Sequence, residues 1–259
     1  MKIATWNVNS IRTRLEHVTQ WLQPNPVDVL CLQETKVVDE SFPTAAFTEL
    51  GYQVYAYGQK SYNGVALISR SPLEKVQMGF GAVLPDVGDL DDQKRVITGV
   101  LDGVQIVDLY VPNGSAIESD KYVYKLRWLK TLKVYLQTLL QTSPSLLVCG
   151  DFNIALEDID IHNPKGREKQ VMATDVERAA LRDVLELGLA DVFRKFTAEG
   201  GQFSWWDYRA ASFRRNAGWR IDHHYLTADL YDRALSCTID VEPRKLEQPS
   251  DHTPVIVEF

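Results

Sequence analysis

Short apolar runs rich in β-branched residues recur along the chain, at residues 2–6, 27–32, 65–69, 96–101, 104–110, 146–149, 221–226 and 254–259. Each has the length of a β-strand, and turn residues bound most of them. Three longer segments have helical spacing instead. Residues 10–22 carry Ile11, Leu15, Val18 and Leu22. Residues 122–140 carry Leu126, Leu129, Leu132, Leu136 and Leu139 on one side. Residues 175–187 begin at Asp175, a cap candidate, and stop before Gly188. Strands and helices do not alternate strictly. Asp102-Gly103 between two strand runs is a two-residue hairpin signal, so the sheets are expected to be mixed. No linker or repeat divides the chain, and one α/β domain over 1–259 is the expected organisation.

The polar residues fall at strand ends. Residues 2–6 run into Asn7, 27–32 into Gln33-Glu34, 104–109 into Tyr110, and 146–149 through Gly150 into Asp151. Asp251-His252 precedes the last strand. An apolar strand gains little from a carboxylate at its tip unless that end opens into a cleft. Asn7 and Asn9 flank Val8, and Asp151 and Asn153 flank Phe152. In extended chain such pairs share one side, with the apolar residue facing the core. Glu34, Asp151, Asp222 and Asp251, with the asparagines, form an oxygen-rich set suited to a hard cation such as Mg²⁺ or Mn²⁺. His223 and His224 are adjacent, point to opposite faces of a strand, and read as structural.

Charge complicates this picture. The net charge is −7, which by itself argues against a nucleic-acid ligand. Two stretches are locally basic: Lys121, Lys125, Arg127, Lys130 and Lys133, then Arg209, Arg214, Arg215 and Arg220. The second adjoins the aromatic residues Trp205, Trp206, Tyr208 and Trp219, a combination that suits a nucleic-acid groove. The three cysteines make no CxxC pair, so neither a zinc site nor a disulfide framework is suggested. With no signal-peptide pattern and no apolar run long enough to cross a bilayer, a cytoplasmic protein is expected.

Nine stretches, in order, carry a family resemblance: Ile3-Ala-Thr-Trp-Asn-Val-Asn-Ser-Ile-Arg12, Leu32-Gln-Glu-Thr-Lys36, Tyr62-Asn-Gly-Val-Ala66, Tyr110-Val-Pro-Asn-Gly114, Ser119-Asp-Lys-Tyr122, Gly150-Asp-Phe-Asn153, Asp158-Ile-Asp160, Gly218-Trp-Arg-Ile-Asp222 and Ser250-Asp-His252. The chain resembles, over essentially its whole length, the exonuclease III family of apurinic/apyrimidinic endonucleases. The resemblance implies a four-layered α/β sandwich of two packed mixed β-sheets flanked by helices. It implies Glu34 as principal metal ligand, Asp151 as the group handling the water proton, and Asn153 as the group positioning water. Asn7, Asp151, Asn153 and His252 stand as further metal neighbours, with Asp251 a ligand when a second ion is present. Tyr110 and His252 are implied at the scissile phosphate. Asp222 is the better partner for the His252 imidazole, because Asp251 is adjacent in sequence and points away in extended chain. Trp205, Trp219 and Ile221 are placed to wall a slot for a base-less sugar, with Arg220, Asn113 and Lys121 as further DNA contacts.

The implied reaction is Mg²⁺-dependent hydrolysis 5′ to an abasic site in duplex DNA by a monomer. Removal of 3′-blocking groups and 3′→5′ exonuclease action accompany it. Two alternatives share the same core: another phosphodiesterase or phosphatase of this architecture, and a non-catalytic DNA-binding module. The second requires a lost motif carboxylate, and none is missing.

Overall fold

The computed structural model describes residues 1–259. Its strands are β1 (Lys2–Asn7), β2 (Val29–Gln33), β3 (Gln53–Tyr57), β4 (Val65–Ser69), β5 (Glu74–Met78) and β6 (Val96–Leu101). They continue with β7 (Val104–Tyr110), β8 (Leu146–Asp151), β9 (Ala190–Asp191), β10 (Asp222–Leu226), β11 (Ser236–Ile239) and β12 (Val255–Glu258). The helices are α1 (Ile11–Leu22), α2 (Thr44–Thr48), α3 (Asp120–Leu140), α4 (Asp175–Leu185), α5 (Val192–Phe196) and α6 (Ala228–Arg233). Two six-stranded mixed sheets result, in the orders β11-β12-β1-β2-β4-β3 and β5-β6-β7-β8-β10-β9.

Strand alternation builds the layers. Along β2, Val29 and Cys31 enter the core between the sheets, while Leu30 and Leu32 enter the core beneath α1 and α2. Along β8, Leu147 and Cys149 face the other sheet, while Leu146 and Val148 pack with Leu129, Leu132 and Leu136 of α3 and Leu181 of α4. Each central strand is therefore buried on both faces, which explains its unbroken apolar run. The order helix–sheet–sheet–helix is the expected four-layered sandwich.

Most expected elements are present, with small shifts at their ends. The Asp102-Gly103 hairpin joins antiparallel β6 and β7, with φ of 49° and 79° at the two turn residues. Helix α4 is capped by Thr174 rather than Asp175: its side chain accepts from the Glu177 N–H, and Glu177 reaches back in a capping box. Four strands have no counterpart in the sequence reading: β3, β5, β9 and β11. They are the four sheet edges.

Several charged residues are buried. Arg220 is 1% exposed; its guanidinium lies 2.7 Å from Asp160 and 2.6 Å from Asp191. It also meets the ring of His223 at 3.0 Å, whose other nitrogen bonds the Ile154 carbonyl. Burial, together with the neighbouring Arg220 charge, pushes the His223 pKa down to about 4, so the imidazole is neutral at physiological pH. The expectation that Arg220 contacts DNA is thus corrected: its donors are spent inside the protein. Lys125, read as part of an exposed basic stripe, is also wholly buried and pairs with Glu177 at 2.5 Å. His223 and His224 are both fully buried, and His224 bonds the Val255 carbonyl at 3.0 Å.

Removing one member of a buried ion network leaves its partners charged and unpaired, at a cost of about 3–5 kcal/mol. Arg220→Met is expected to lose stability in that range. Arg127→Met, which breaks an exposed pair with Asp89, is expected to lose less than about 1 kcal/mol. Urea unfolding of both variants checks the contrast, and equal losses would contradict the assignment of Arg220 as the hub.

Candidate active site

The inner faces of five strands bring their polar ends to one point between the sheets. Asn7 ends β1, Tyr110 ends β7, Asp151 ends β8, and Asp222 begins β10, in register with Asp151. Glu34 follows β2 in the left-handed region, with φ of 52°. Gly150 permits this convergence, because a Cβ there would stand 2.0 Å from the Leu109 carbonyl oxygen on β7.

Asn7 links the carboxylates. Its Nδ2 donates to Glu34 Oε1 and to Asp151 Oδ2, both at 2.9 Å. Its Oδ1 accepts the Asn9 N–H at 3.0 Å, which fixes the amide orientation. The Asn7 nitrogen, not its oxygen, thus faces the carboxylates, and Asn7 orients two of them. Asn153 behaves alike: Nδ2 donates to Val111 O and Asp151 Oδ2, and Oδ1 accepts from Asn113 Nδ2 at 2.9 Å. Its oxygen too is spent away from the carboxylates. Asn153 and Asp151 do meet, but not through extended chain. Asn153 has φ of 49°, and its N–H donates to Asp151 Oδ1 at 2.8 Å. Asn9, with φ of 45°, repeats this turn after Asn7.

His252 lies over the same point. Its Nδ1 is 2.9 Å from Asp222 Oδ2, and its Nε2 is 3.7 Å from Asp151 Oδ2. Ser204 Oγ accepts the Ile221 and Asp222 N–H groups, and Ser250 Oγ accepts the His252 N–H, so both partners are held from behind. Burial disfavours the imidazolium, but Asp222 and Asp151 outweigh it and raise the pKa to about 10. With Nδ1 held by Asp222, Nε2 is the ring nitrogen left facing Asp151 and the centre. Asp151 is raised to about 7 by burial and by the charges of Asp222 and Glu34, against the pull of His252. Burial also works to raise Glu34, but Lys36 at 2.8 Å and Asn7 outweigh it and hold its carboxyl below the ordinary value. Burial and the Glu34 charge push the Tyr110 phenol up.

A cation fits here. Donor atoms of Glu34, Asp151 and His252 lie within 4.8 Å of one another, and two of them are oxygens of partly or wholly buried carboxylates. Glu34 and Asp151 supply the oxygens of this group and His252 its one nitrogen. Asp251 stands outside the group: its oxygens accept from Asn9 Nδ2 and Trp205 Nε1, both at 3.0 Å.

Trp205 and Trp219 meet edge to face at 6.4 Å beside this centre, packed with Ile161, Met172 and Ile221. Trp205 is half-buried, Trp219 is 7% exposed and Ile221 only 1%. Ile221 is therefore backing behind the tryptophans, which corrects its expected contact with DNA. Asn113 and Lys121 are exposed, and Asn113 touches Met172 of the same apolar cluster. The sequence reading gave Lys36 no role, although its ammonium contacts Glu34 and Asn9. No periodicity signalled it, because β2 ends at Gln33 and both Glu34 and Lys36 are left-handed.

The profile of the Endonuclease/Exonuclease/phosphatase family matches residues 4–252. Exodeoxyribonuclease III of Haemophilus influenzae is 34% identical over 274 aligned positions, covering 100% of both chains. A 3′-5′ exonuclease from Neisseria meningitidis superposes with a TM-score of 0.95 at 40% identity, covering 100% of this chain and 99% of its own. That protein has also been solved as a 3′ phosphatase bound to product DNA hairpin. An AP endonuclease from Archaeoglobus fulgidus gives 0.93 at 40% identity, with the same coverage. Matched from end to end by proteins of this kind in sequence and in fold, the chain belongs to the exonuclease III group of the endonuclease/exonuclease/phosphatase family.

Proposed function

We propose that the protein is a DNA repair nuclease that hydrolyses the phosphodiester 5′ to abasic sites in duplex DNA, using Mg²⁺, and that it also trims blocked or ordinary 3′ ends. The observation that carries this reading is the meeting of Glu34, Asp151 and the Asp222-held His252 at one point between the sheets. The relatives' activities support the substrate class, since exonuclease, 3′ phosphatase and AP endonuclease all stand among the similar proteins.

Each residue has a step. A divalent cation held by Glu34 and Asp151 would polarise the phosphoryl oxygen and offset charge on the leaving oxygen. His252 donates its Nε2 proton as a hydrogen bond to a non-bridging phosphate oxygen, where negative charge builds. Asp222 keeps that imidazole charged and aimed. Asn153 donates to both Asp151 oxygens and so holds that carboxylate toward the path of the attacking water. We read Asp151 as the group that handles the proton that must move as water attacks or the 3′ oxygen leaves. Tyr110 places a neutral hydroxyl against Glu34, within reach of the same phosphate. We read residues 1–259 as one domain, since a single core draws on both sheets. We read the protein as a cytoplasmic monomer; three buried free cysteines suit a reducing compartment.

The test is incubation with a duplex carrying one abasic site, with identification of the cut position. Cleavage on its 5′ side is expected, abolished by EDTA and restored by Mg²⁺ or Mn²⁺; full activity in EDTA would sink the mechanism. Glu34→Ala should weaken metal affinity more than DNA affinity.

His252→Ala and Asp222→Asn are each expected to lower kcat by about 10²–10⁴-fold with the fold retained. The double variant should lose far less than the product of the two, because the pair acts as one unit. Multiplicative losses in kcat would show that the residues work separately.

Trp219→Ala and Trp205→Ala probe damage recognition. If the two rings exclude an intact nucleotide, each variant should cut the abasic duplex more slowly and lower the ratio of damaged to undamaged cleavage. A purely structural role predicts a lower melting temperature with that ratio preserved, so both quantities are measured.

A further inference from the structure

The chain around Trp205 runs antiparallel to the chain around His252, outside both sheets. The Thr253 N–H donates to the Ser204 carbonyl at 2.9 Å, and the Trp206 N–H donates to the Asp251 carbonyl at 3.0 Å. On its other side, Trp205 donates its N–H to the Trp219 carbonyl at 3.0 Å and accepts the Trp219 N–H at 2.9 Å. The backbone at Trp205 is thus fixed from two sides. The plane of its ring is not, because the torsion that sets it is soft. The two adjacent indoles solve this differently. Trp206 is buried against Phe213, and its Nε1 donates to Asn216 Oδ1 at 3.2 Å. Trp205 is half-buried with Trp219 as its one aromatic neighbour, and its Nε1 donates to Asp251 Oδ2 at 3.0 Å.

The donors around Asp251 account for both of its oxygens. Oδ2 takes the Trp205 indole, and Oδ1 takes Asn9 Nδ2 at 3.0 Å. The same Asn9 nitrogen donates to Tyr208 Oη at 3.2 Å, and its Oδ1 accepts from the Lys36 ammonium, which fixes the orientation of the amide. Lys36 in turn lies 2.8 Å from Glu34. A carboxylate is the one short side chain that can accept from both donors at once. An asparagine there would offer a single acceptor and turn its own N–H groups on the indole or on Asn9. Charge on the acceptor also strengthens the bond to the indole. Asp251 is not a member of the group formed by Glu34, Asp151 and His252.

We propose that Asp251 is a specificity-positioning residue: it sets the plane of the Trp205 ring by taking its indole N–H, and through Asn9 it anchors that ring to the Lys36 side of the centre, instead of ligating an ion. The proposal rests on the reading of Trp205 as part of the wall that tells a base-less nucleotide from an intact one.

The test compares wild type with Trp205→Phe, which keeps a ring and removes the indole N–H, with Asp251→Ala and with the double variant. For each, kcat/KM is measured in Mg²⁺ on a duplex carrying one tetrahydrofuran abasic site and on the intact duplex. Each single variant is expected to lower the ratio of the two roughly tenfold, the scale of one charge-assisted hydrogen bond. The double variant should fall no further than the Asp251 variant, because the pair acts through one bond. Asp251→Asn, with one acceptor left for two donors, should lie between, and it carries the test if the alanine variant does not fold. Mn²⁺ titrated into the DNA-free protein and followed by electron paramagnetic resonance should bind wild type and Asp251→Ala within about twofold, the spread expected for a residue that is not a ligand. In ¹⁵N–¹H spectra the Trp205 indole resonance, identified by its loss in Trp205→Phe, should move in Asp251→Ala. The assignment is overturned if Trp205→Phe keeps the wild-type ratio, if the two single losses multiply, or if the indole resonance stays in place. It is also overturned if Asp251→Ala weakens Mn²⁺ binding tenfold while the ratio holds, which would make Asp251 an ion ligand. A wild type that cuts intact and abasic duplexes alike refutes the proposed damage recognition itself, a result distinct from discrimination that survives in the variants.

Discussion

Three carboxylates, Glu34, Asp151 and Asp222, are brought together where water is largely excluded, and the molecule around them is organised by that repulsion. Like charges at short range in a poorly solvated space cannot all persist without compensation. The protein supplies it from three sides. Lys36 sits against Glu34, His252 lies between Asp222 and Asp151, and Asn7 spans Glu34 and Asp151 with a single amide nitrogen. Burial, with the charges of Asp222 and Glu34, raises the Asp151 pKa to about 7 against the pull of His252. The residual negative charge is what a divalent cation would complete.

Beneath that layer lies a second polar one, set one or two residues back along β1, β2 and β7. Gln33 Nε2 donates to Thr5 Oγ1 at 2.8 Å and to Asp108 at 2.5 Å, all fully buried. Burial pushes the Asp108 carboxyl well above its ordinary value. The inter-sheet core is thus apolar at one end and progressively polar toward the site, a gradient only possible because both sheets present the same strand ends to the same opening.

Two buried ion networks hold the flanking loops. Lys125 donates to the backbone carbonyls of Asn113 and Asn153 while pairing with Glu177, whose carboxylate also accepts the Met172 and Thr174 N–H groups. Three loops that border the site are thereby tied to α3 and α4. On the other side, Arg220 ties the loop around Asp160 to β9 and β10, just before Asp222. Both cations are far too deep to meet DNA; their work is to keep Asn153 and Asp222 in place.

The central strands, the three long helices, the hairpin at Asp102-Gly103 and the strand-end polar residues were all legible in the sequence, because period and turn chemistry are local properties. The four edge strands were not. Stretches such as Gln53–Tyr57 and Glu74–Met78 are half exposed and carry no apolar run; they are strands because a neighbour offers them a ladder. Lys125 could have been recognised: it lies three residues after buried Tyr122 and four before buried Leu129, on the apolar face of α3. Arg220 could not, since its partners Asp160 and Asp191 are 60 and 29 residues away in sequence. The sequence by itself determined which chemical groups stand at the ends of which strands. Only the tertiary structure decided which atom each one turns inward, because amide orientation, imidazole charge and the fate of each cation depend on partners that the chain brings together solely by folding.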